Sequence, residues 1–401
     1  MPKITSVRSI LLSSPYADPD DPEIKECFPN GAKRTIGMVE ITLEHGVTGL
    51  GEGYLAVFAP LVFTAIVDLC RPHLIGLDGF DIAGVVRRLR SLSDYWSLQG
   101  AARHVISAFE IALQDAKAKS LGIPVYDLLG GAKTDSIEIY GSGGCCDAKG
   151  QFLRELDLLG SKGIKLYKIR SVKRDVCRTA WVLEEAAKRG VKVGVDMCQN
   201  LADPPQAVED VVGFVEAVHR LTPHRMIFLE EAIGPDEPAG FKQLRTRIDV
   251  PVYGGEIITT PKEMIERMKN GVYDAVQPDA SVIGGISAVM DIFEAGKNYG
   301  TGVVVHAWGG AAAIMASYHA AFAAGGRLVE FPMLAFPLGA EMIADQGRIV
   351  DGRLMRPSAP GLGLTLTPEM EARYPFDESA VYCCVLNDWG PPPDDYWKRS
   401  V

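Results

Sequence analysis

Three carboxylate side chains stand just after three successive apolar runs in the middle of the sequence. They are Asp196, Glu230 and Glu256. If the runs are neighbouring parallel strands, their carboxyl ends meet at one edge, and the three carboxylates can converge on a cation. Oxygen donors with room for water and substrate favour Mg²⁺, and no nearby Cys/His cluster points to zinc. Any one of these acids alone is better explained as a helix cap or a solvent contact, but three in register indicate a magnesium site.

An imidazole and a carboxylate form a second candidate pair. His306 follows the apolar run Val303 to Val305, and Asp279 stands at the end of the preceding run. A carboxylate beside an imidazole fixes its tautomer and supports its cationic form, as a general acid/base near neutral pH requires. A lone histidine after a strand is more often a satisfied polar group of the core. The aspartate on the adjacent strand favours catalysis.

Two cations and one further acid complete the set of candidate residues. Lys168 and Arg170 are two positions apart on one predicted strand, so both side chains can face the same side. They can neutralise a substrate carboxylate or form a structural ion pair, and Arg170 is a poor base because guanidinium stays protonated above about pH 12. Glu330 can donate a hydrogen bond to a developing enolate oxygen if burial raises its pKa. It can equally be an ordinary glutamate at the rim.

These residues need a scaffold that places strand ends side by side, and the sequence from about Ser136 has that pattern. Short apolar runs alternate with amphipathic helical stretches. Eight runs, seven of them followed by helix-length segments, predict a TIM-type (β/α)8 barrel, with the active site at the carboxyl ends of its strands. The runs are Ile137 to Tyr140, Leu166 to Ile169, Val191 to Val195, Met226 to Leu229, Pro251 to Tyr253, Ala275 to Val276, Gly302 to Val305 and Leu328 to Phe331.

The preceding part of the chain predicts a smaller α+β domain. The apolar residues of Lys3 to Leu12 and Gly37 to Glu44 alternate or form short runs, which predicts strands. From Leu61 to Leu129 the apolar residues instead repeat every three to four positions, which predicts helices. Between the strands, Ser13 to Lys33 is polar and contains proline and glycine, which indicates a long functional or disordered loop. At the other end, Asp388 to Val401 has the composition of an irregular tail.

Composition and charge exclude several classes of protein. The 401 residues carry 41 Lys+Arg against 51 Asp+Glu, a formal charge of −10, and no basic run, which argues against nucleic-acid binding and a polybasic membrane anchor. We expect no signal peptide and no membrane span, because no apolar segment is long enough; Ala311 to Ala324 is instead predicted to be a buried helix. Eight cysteines without CxxC spacing indicate reduced thiols in the cytoplasm.

At these residues the chain strongly resembles the enolase superfamily and, within it, the mandelate racemase subgroup. The resemblance covers nearly the whole chain, and the order of its motifs is more specific than any single one. The motifs are Gly49-Leu-Gly-Glu-Gly53, Ala112-Leu-Gln-Asp-Ala116 and Leu128-Leu-Gly-Gly131, then LYKIR, VGVDM, FLEEA, GGE, QPDASVIGG, VVVHAWGG and LVEFP, and finally Pro360-Gly-Leu-Gly-Leu364.

The resemblance implies an architecture and roles for the candidate residues. Residues 1–132 would be an N-terminal α+β capping domain, 133–337 the barrel, and 338–401 a segment that packs back on the cap. In the family one Mg²⁺ chelates the substrate carboxylate and stabilises an enediolate. Its ligands would be Asp196, Glu230 and Glu256, the His–Asp dyad would be His306 and Asp279, and Glu330 would be the acid on the enolate side. The family is commonly oligomeric, which implies a homo-oligomer.

The sequence also departs from the family pattern at three places. The usual Lys-x-Lys motif is Lys168-Ile-Arg170, which disfavours a symmetric racemisation with two bases. Asp196-Met-Cys198 replaces Asp-x-Asn, and Ala232 follows the paired glutamates where proline is common. Muconate-lactonising and dipeptide-epimerising relatives carry a lysine at the position of Asp279, so those reactions are disfavoured as well.

The resulting prediction is a Mg²⁺-dependent acid-sugar dehydratase that removes a proton α to a carboxylate and then loses water to give a 2-keto-3-deoxy acid. The string His306 to Gly309 is similar to dehydratases and lactone cycloisomerases of the subgroup, and Lys168, Arg170 and Trp308 are predicted to bind the substrate. Specificity is expected from the Ser13 to Lys33 and Leu55 to Pro60 loops. The alternatives are an α-hydroxy-acid racemase or epimerase, a sugar-acid lactone cycloisomerase, and a non-catalytic acid-binding protein.

Overall fold

The N-terminal part of the chain forms a three-stranded antiparallel sheet. The computed structural model describes residues 1–15, 33–145, 148–334 and 336–380. The strands are β1 (Ile4–Pro15), β2 (Lys33–Leu43) and β3 (Thr48–Glu52), paired in the order β1-β2-β3. Both predicted strands are present, but they extend into the predicted loop, because Pro15 still pairs with Lys33. The rest of that loop, residues 16–32, lies outside the described residues.

Helices follow the sheet, as the change of period predicts. They are α1 (Leu55–Phe58), α2 (Pro60–Cys70), α3 (Ile82–Ser93), α4 (Ala101–Leu121) and α5 (Val125–Leu128). The prediction of a loop from Leu55 to Pro60 is wrong, because most of this segment is α1. Pro60 is the first residue of α2, where its missing N–H costs no helical hydrogen bond. The long helix α4 packs against β3 through glycines. A Cβ at Gly51 would lie 1.9 Å from the Ala108 carbonyl oxygen.

Eight parallel strands form the predicted barrel. Seven of them pair successively, and the last closes the ring by pairing with the first and by a bridge between Val305 and Val329. Two of the predicted runs are longer than the strands that form. The run Met226 to Leu229 becomes a regular strand only at Leu229, and the run Gly302 to Val305 only as far as Val303. The strands are β4 (Ser136–Ser142), β5 (Leu166–Arg170), β6 (Lys192–Asp196), β7 (Leu229–Glu230), β8 (Val252–Gly254), β9 (Ala275–Val276), β10 (Gly302–Val303) and β11 (Leu328–Pro332).

A helix follows each of the first seven barrel strands. The predicted buried helix is confirmed, since every residue of the last of these helices except Ile314 is buried. The seven are α6 (Lys149–Ser161), α7 (Val176–Lys188), α8 (Val208–Leu221), α9 (Pro238–Arg247), α10 (Pro261–Lys269), α11 (Ile286–Tyr299) and α12 (Ala311–Ala324).

The C-terminal segment contacts both the barrel and the N-terminal elements. It contains α13 (Pro337–Ile343), β12 (Ile349–Val350), β13 (Arg353–Met355) and α14 (Pro368–Arg373). Strand β13 pairs with β4 of the barrel, whereas the Asp115 carboxylate on α4 accepts the backbone N–H of Leu362 at 2.7 Å. The boundaries 1–132, 133–337 and 338–401 stay a prediction. Asp388 to Val401 lies outside the described residues.

None of the described helices is both long and apolar enough to cross a bilayer.

Candidate active site

The pairing of the barrel strands brings four of the predicted residues together. In the parallel register Arg170 on β5 stands beside Asp196 on β6, which stands beside Glu230 on β7. Lys168 lies one pleat below Arg170 on the same strand. Lys168 and Glu230 are completely buried, and Asp196 nearly so. The carboxyl ends of these strands therefore hold a buried cluster of opposite charges.

Lys168 is the centre of this cluster. Its Nζ forms an ion pair with Glu230 Oε1, lies 2.9 Å from Glu330 Oε1 and lies 3.7 Å from Asp196 Oδ2. Burial disfavours the ammonium form, but the carboxylates of Glu230 and Glu330 outweigh burial and hold the pKa of Lys168 well above its ordinary value. Lys168 is thus a fixed cation in this arrangement, and the ion pair that the sequence left as an alternative is present.

His306 and Asp279 are in direct contact, as predicted. Nδ1 of His306 lies 2.6 Å from Asp279 Oδ2, and the other oxygen of Asp279 accepts hydrogen bonds from the backbone N–H and hydroxyl of Ser281. Nε2 of His306 points to two acids, 3.3 Å from Glu256 Oε2 and 3.8 Å from Glu330 Oε2. Burial favours the neutral ring, but the surrounding carboxylates, above all Glu256 and Glu330, raise the pKa of His306 to about 10.

The pKa of Glu330 is not raised, although its predicted role as a hydrogen-bond donor requires a raised pKa. Burial tends to raise its pKa, but Lys168 and His306 both face it and lower the pKa below the ordinary value. One oxygen of Glu330 accepts the backbone N–H of Ala307 at 2.9 Å. In this arrangement Glu330 is an ionised acceptor. The expected neutral acid would require the two cations to move or lose their charge.

The chemistry of the acids fits a divalent cation. Burial, followed by the charges of Asp196 and Glu256, raises the pKa of Glu230 to about 8 against the opposing effect of Lys168. The neighbouring Glu231 is buried, and its Oε2 has no hydrogen-bond partner in the part of the chain that the structure describes. Asp196, Glu230 and Glu256 are oxygen donors of the kind that Mg²⁺ prefers. Among the described residues, no three His, Cys, Asp or Glu side chains lie close enough together to bind one metal ion. The Lys168 ammonium lies among the acids instead.

Arg170 is on β5, on the opposite side of the acid cluster from His306, which follows β10. Three contacts hold its guanidinium. Its Nη1 donates to the Gly143 carbonyl at 2.7 Å, its Nε lies 3.9 Å from Asp196 Oδ2, and its Cζ stacks 4.1 Å from the centre of the Trp308 ring. Trp308 packs in turn against the cluster of Leu334 and Phe336, as Cys145 does. Lys168, Arg170 and Trp308, predicted to bind substrate, therefore line adjoining parts of one site.

Two amide side chains complete the acid cluster and were missed from the sequence. The Nδ2 of Asn200 donates to Glu256 Oε1 at 2.7 Å, and the Nε2 of Gln277 donates to Glu230 Oε2 at 2.6 Å. Asn200 is two residues after Cys198, the position where the resemblance implies asparagine. Cys198 has a positive φ of 47° and donates its backbone N–H to Asp196.

The N-terminal elements also reach the site, which the sequence analysis did not assign to particular residues. The Tyr54 ring meets the His306 ring edge-on at 6.2 Å, and the Nη2 of Arg34 donates to the Trp308 carbonyl at 2.7 Å. The sequence feature that could have pointed to Tyr54 is the motif Gly49 to Gly53, which ends directly before it.

Two family models match the chain over most of its length. The model described as the enolase C-terminal domain-like family matches residues 150–370, more than half of the chain. The model of the mandelate racemase/muconate lactonizing enzyme N-terminal domain matches residues 23–130.

Individual relatives are similar at low identity over long alignments. The chain is 28% identical over 388 residues to muconate cycloisomerase 1 of Rhodococcus opacus, covering 90% of this chain and 96% of the relative. It is 28% identical over 342 residues to arabinonate dehydratase of Saccharolobus solfataricus, covering 82% and 88%. A solved lysine-to-alanine variant of L-talarate/galactarate dehydratase, liganded with Mg and L-glucarate, is 25% identical, covers 93% of this chain and 92% of that chain, and has a TM-score of 0.79.

The closed barrel, the N-terminal sheet and helices, and both family models agree with the resemblance read from the motifs. This chain therefore belongs to the mandelate racemase/muconate lactonizing enzyme family of the enolase superfamily.

Proposed function

We propose that the protein is a Mg²⁺-dependent dehydratase of a sugar acid, in which His306 removes the proton α to the carboxylate. The observation that carries the proposal is the asymmetry of the site. His306 is hydrogen bonded to Asp279 on one side of the acid cluster, whereas Lys168 and Arg170 on the other side keep their charge. The surrounding carboxylates keep His306 protonated in this arrangement. A divalent cation held by those acids would offset their charge and lower the pKa of His306, so that Nε2 can act as a base. One such base facing two fixed cations suits proton removal from one face of a carboxylate substrate.

Asp196, Glu230 and Glu256 would hold Mg²⁺, whose charge stabilises the substrate carboxylate as it becomes an enediolate. Lys168 and Arg170 add positive charge at the same end of the substrate. Arg170 is preorganised for this role, because its bonds to Gly143 and its stacking on Trp308 fix the plane of the guanidinium.

The chemical steps can be assigned to this chain's own groups. His306 Nε2 takes the α proton, and the electron pair of the C–H bond enters the enediolate. The imidazolium is stabilised through Nδ1 by Asp279. When the enediolate collapses, the β C–O bond breaks, the departing hydroxyl takes a proton and leaves as water, and the resulting enol becomes the 2-keto-3-deoxy acid. His306 is placed to return the proton to the leaving group.

The relatives support dehydration over cycloisomerisation only in part. Two of the three similar proteins described above are named dehydratases of sugar acids, and one is a muconate cycloisomerase. The position where the resemblance implies a lysine in muconate-lactonising enzymes is Asp279, which contacts His306. This favours the dehydratase, with a lactone cycloisomerase or an epimerase of α-hydroxy acids as the competing uses of the same base.

The deciding experiment is proton NMR in D₂O with the purified protein, Mg²⁺ or EDTA, and a panel of pentonic, hexonic and hexaric acids, simple α-hydroxy acids and lactones. We expect a 3-deoxy product with Mg²⁺ and none with EDTA or with the His306→Asn variant. Exchange of the α proton without dehydration would favour an epimerase, and conversion of a lactone alone would favour the cycloisomerase. Silence across the whole panel would contradict the proposal and favour a non-catalytic acid-binding protein.

A further inference from the structure

We infer that Glu52, on strand β3 of the N-terminal sheet, is a positioning residue for His306. Its two carboxylate oxygens bind the backbone at the start of helix α12: Oε1 accepts the N–H of Gly310 at 2.7 Å and Oε2 accepts the N–H of Ala313 at 3.1 Å. The segment 306–310, which carries both His306 and Trp308, is the connection that these bonds fix. The catalytic meaning of this inference rests on the proposed function.

A second side chain of the same sheet binds the same connection. Arg34 on β2 donates from Nη2 to the Trp308 carbonyl at 2.7 Å, and both Arg34 and Glu52 are almost completely buried. Three backbone groups between residues 308 and 313 are therefore bound by two side chains from outside the barrel. On the barrel side, His306 N–H donates to Pro278 and Ala307 N–H donates to Glu330. The connection is held from both sides.

The close approach of Glu52 depends on glycine. A Cβ built on Gly310 would lie 2.7 Å from Glu52 Oε2 and 2.9 Å from Oε1, so a side chain there would push the carboxylate away. Burial raises the pKa of Glu52 to about 7, while the N–H groups of Gly310 and Ala313 and the charge of Arg34 favour its ionised form. A carboxylate at a helix N-terminus is stabilised by the unpaired N–H groups and by the helix dipole.

The chain contains a matched control for this contact. Glu110 on α4 is equally buried and accepts the backbone N–H of Ile286 at 2.8 Å and of Ser287 at 3.1 Å, at the start of the neighbouring helix α11. Like Glu52, it is a buried carboxylate that links the N-terminal elements to the start of a barrel helix. It also accepts hydrogen bonds from Ser287 Oγ at 2.6 Å and Gln114 Nε2 at 3.0 Å. The backbone that it binds, however, lies well beyond Asp279, whose orientation is fixed separately by Ser281.

The test compares Glu52→Gln with Glu110→Gln. Both substitutions keep the size of the side chain and remove one acceptor. We expect both to lower Tm, with Glu110→Gln lowering it at least as much, because Glu110 accepts more hydrogen bonds. If Glu52 positions His306, Glu52→Gln lowers kcat about 10- to 100-fold with KM changed less than about 3-fold, since a small displacement of a catalytic group slows chemistry without weakening binding. We expect Glu110→Gln to keep kcat within about 3-fold of the wild-type value, because its helix carries no group that moves the proton.

Hydrogen–deuterium exchange supplies a readout that needs no turnover. In Glu52→Gln we expect faster exchange in peptides that span 303–315 and a changed ¹⁵N shift of the His306 imidazole, and in Glu110→Gln faster exchange around residues 284–290 only. Equal losses of kcat in the two variants, or an undisturbed 303–315 segment and His306 signal in Glu52→Gln, would overturn the inference. If the wild-type protein turns over no acid, the proposed function fails, and the exchange and ¹⁵N data alone decide whether Glu52 positions His306.

Discussion

His306 combines two environments, and each of its nitrogens faces a different one. Nδ1 bonds to Asp279, which is itself held by two hydrogen bonds from Ser281. Nε2 faces Glu256 at 3.3 Å and Glu330 at 3.8 Å, where a substrate acid would have to approach. The Asp279 contact holds the proton on Nδ1, so that Nε2 is the nitrogen that gives up and takes back a proton.

Replacing Asp279 by Asn tests this arrangement. We expect kcat to fall about 10²- to 10⁴-fold, because the amide neither fixes the tautomer nor stabilises the imidazolium. The charge and hydrogen bond of Asp279 raise the pKa of His306, so their loss must lower it. The rising limb of the kcat–pH profile should therefore move to lower pH. A profile that is unchanged or moves to higher pH would contradict the dyad.

Replacing Arg170 by Lys tests whether Arg170 is a base or a binding group. Lysine keeps the charge but loses the bond to Gly143 and the stacking on Trp308. We expect KM to rise about 10-fold, the cost of roughly one charge-assisted contact, while proton exchange still proceeds from the face of His306. Steady-state kinetics with α-deuterated substrate can measure both. If the variant instead gains exchange of the opposite epimer, position 170 lies where a second base can act.

At the scale of secondary-structure elements, the distance between β3 and α4 decides how the N-terminal sheet meets the barrel. Gly49 and Gly51 face the backbone of α4, and a Cβ at either position would lie about 2 Å from a carbonyl oxygen of that helix. The strand can therefore approach the helix much more closely than a side chain would permit. The same strand ends in Glu52, so this packing sets how far Glu52 reaches toward α12.

Substitution of Gly51 by Ala should consequently separate β3 from α4. The obstruction is the Ala108 carbonyl, which is backbone and cannot turn aside, so we expect a loss of about 3 kcal/mol or more in the free energy of unfolding. Gly213→Ala is the control: Gly213 is exposed on α8 with nothing within 4 Å of an added Cβ, and it should gain about 0.5–1 kcal/mol from helix propensity. Denaturant unfolding measures both. Equal effects would refute close packing as the cause.

At the scale of the whole molecule, several buried glutamates have raised pKa values, and these values make the stability of the fold depend on pH. Burial raises the pKa values of Glu230 and Glu231 to about 8 and that of Glu52 to about 7. The folded state therefore keeps protons that the unfolded state, with ordinary values near 4.5, has lost. Stability contributed by these protons is present at low pH and is lost as the pH rises through the window from 4.5 to 8.

Mg²⁺ should offset part of this loss, since it competes with protons for Glu230, which is one of the three proposed ligands. Without Mg²⁺ we expect Tm to fall as the pH rises from about 6 to about 8.5. At a fixed Mg²⁺ concentration of 100 times the Kd at pH 8.5, the folded state gains about 2.7 kcal/mol at that pH. The gain in Tm should be smaller at pH 6, where protons compete for the ligands. Differential scanning fluorimetry with Mg²⁺ or EDTA measures this, with Asp196→Asn as the control that responds weakly. A gain that shrinks as the pH rises would count against the three acids as ligands.

The sequence by itself determined the barrel and the residues at its strand ends. Short apolar runs, their spacing and the rule that parallel strands present their carboxyl ends together are local or general properties. They were sufficient to place Asp196 and Glu230 at the last residues of their strands, and Asp279 and His306 in the segments that directly follow theirs. The buried helix α12 could be predicted for the same reason, because its composition leaves no polar face.

Only the tertiary structure decided which groups face one another. Lys168 bonds to Glu230 and Glu330 across the barrel, which reverses the expected shift in the pKa of Glu330. Glu52 reaches α12 across a long interval of sequence, and Asn200 meets Glu256 from another loop. Such contacts depend on the closure of the barrel and on the docking of the N-terminal sheet. A pKa depends on every charge within a few ångströms, and the spacing of residues along a chain does not record those distances.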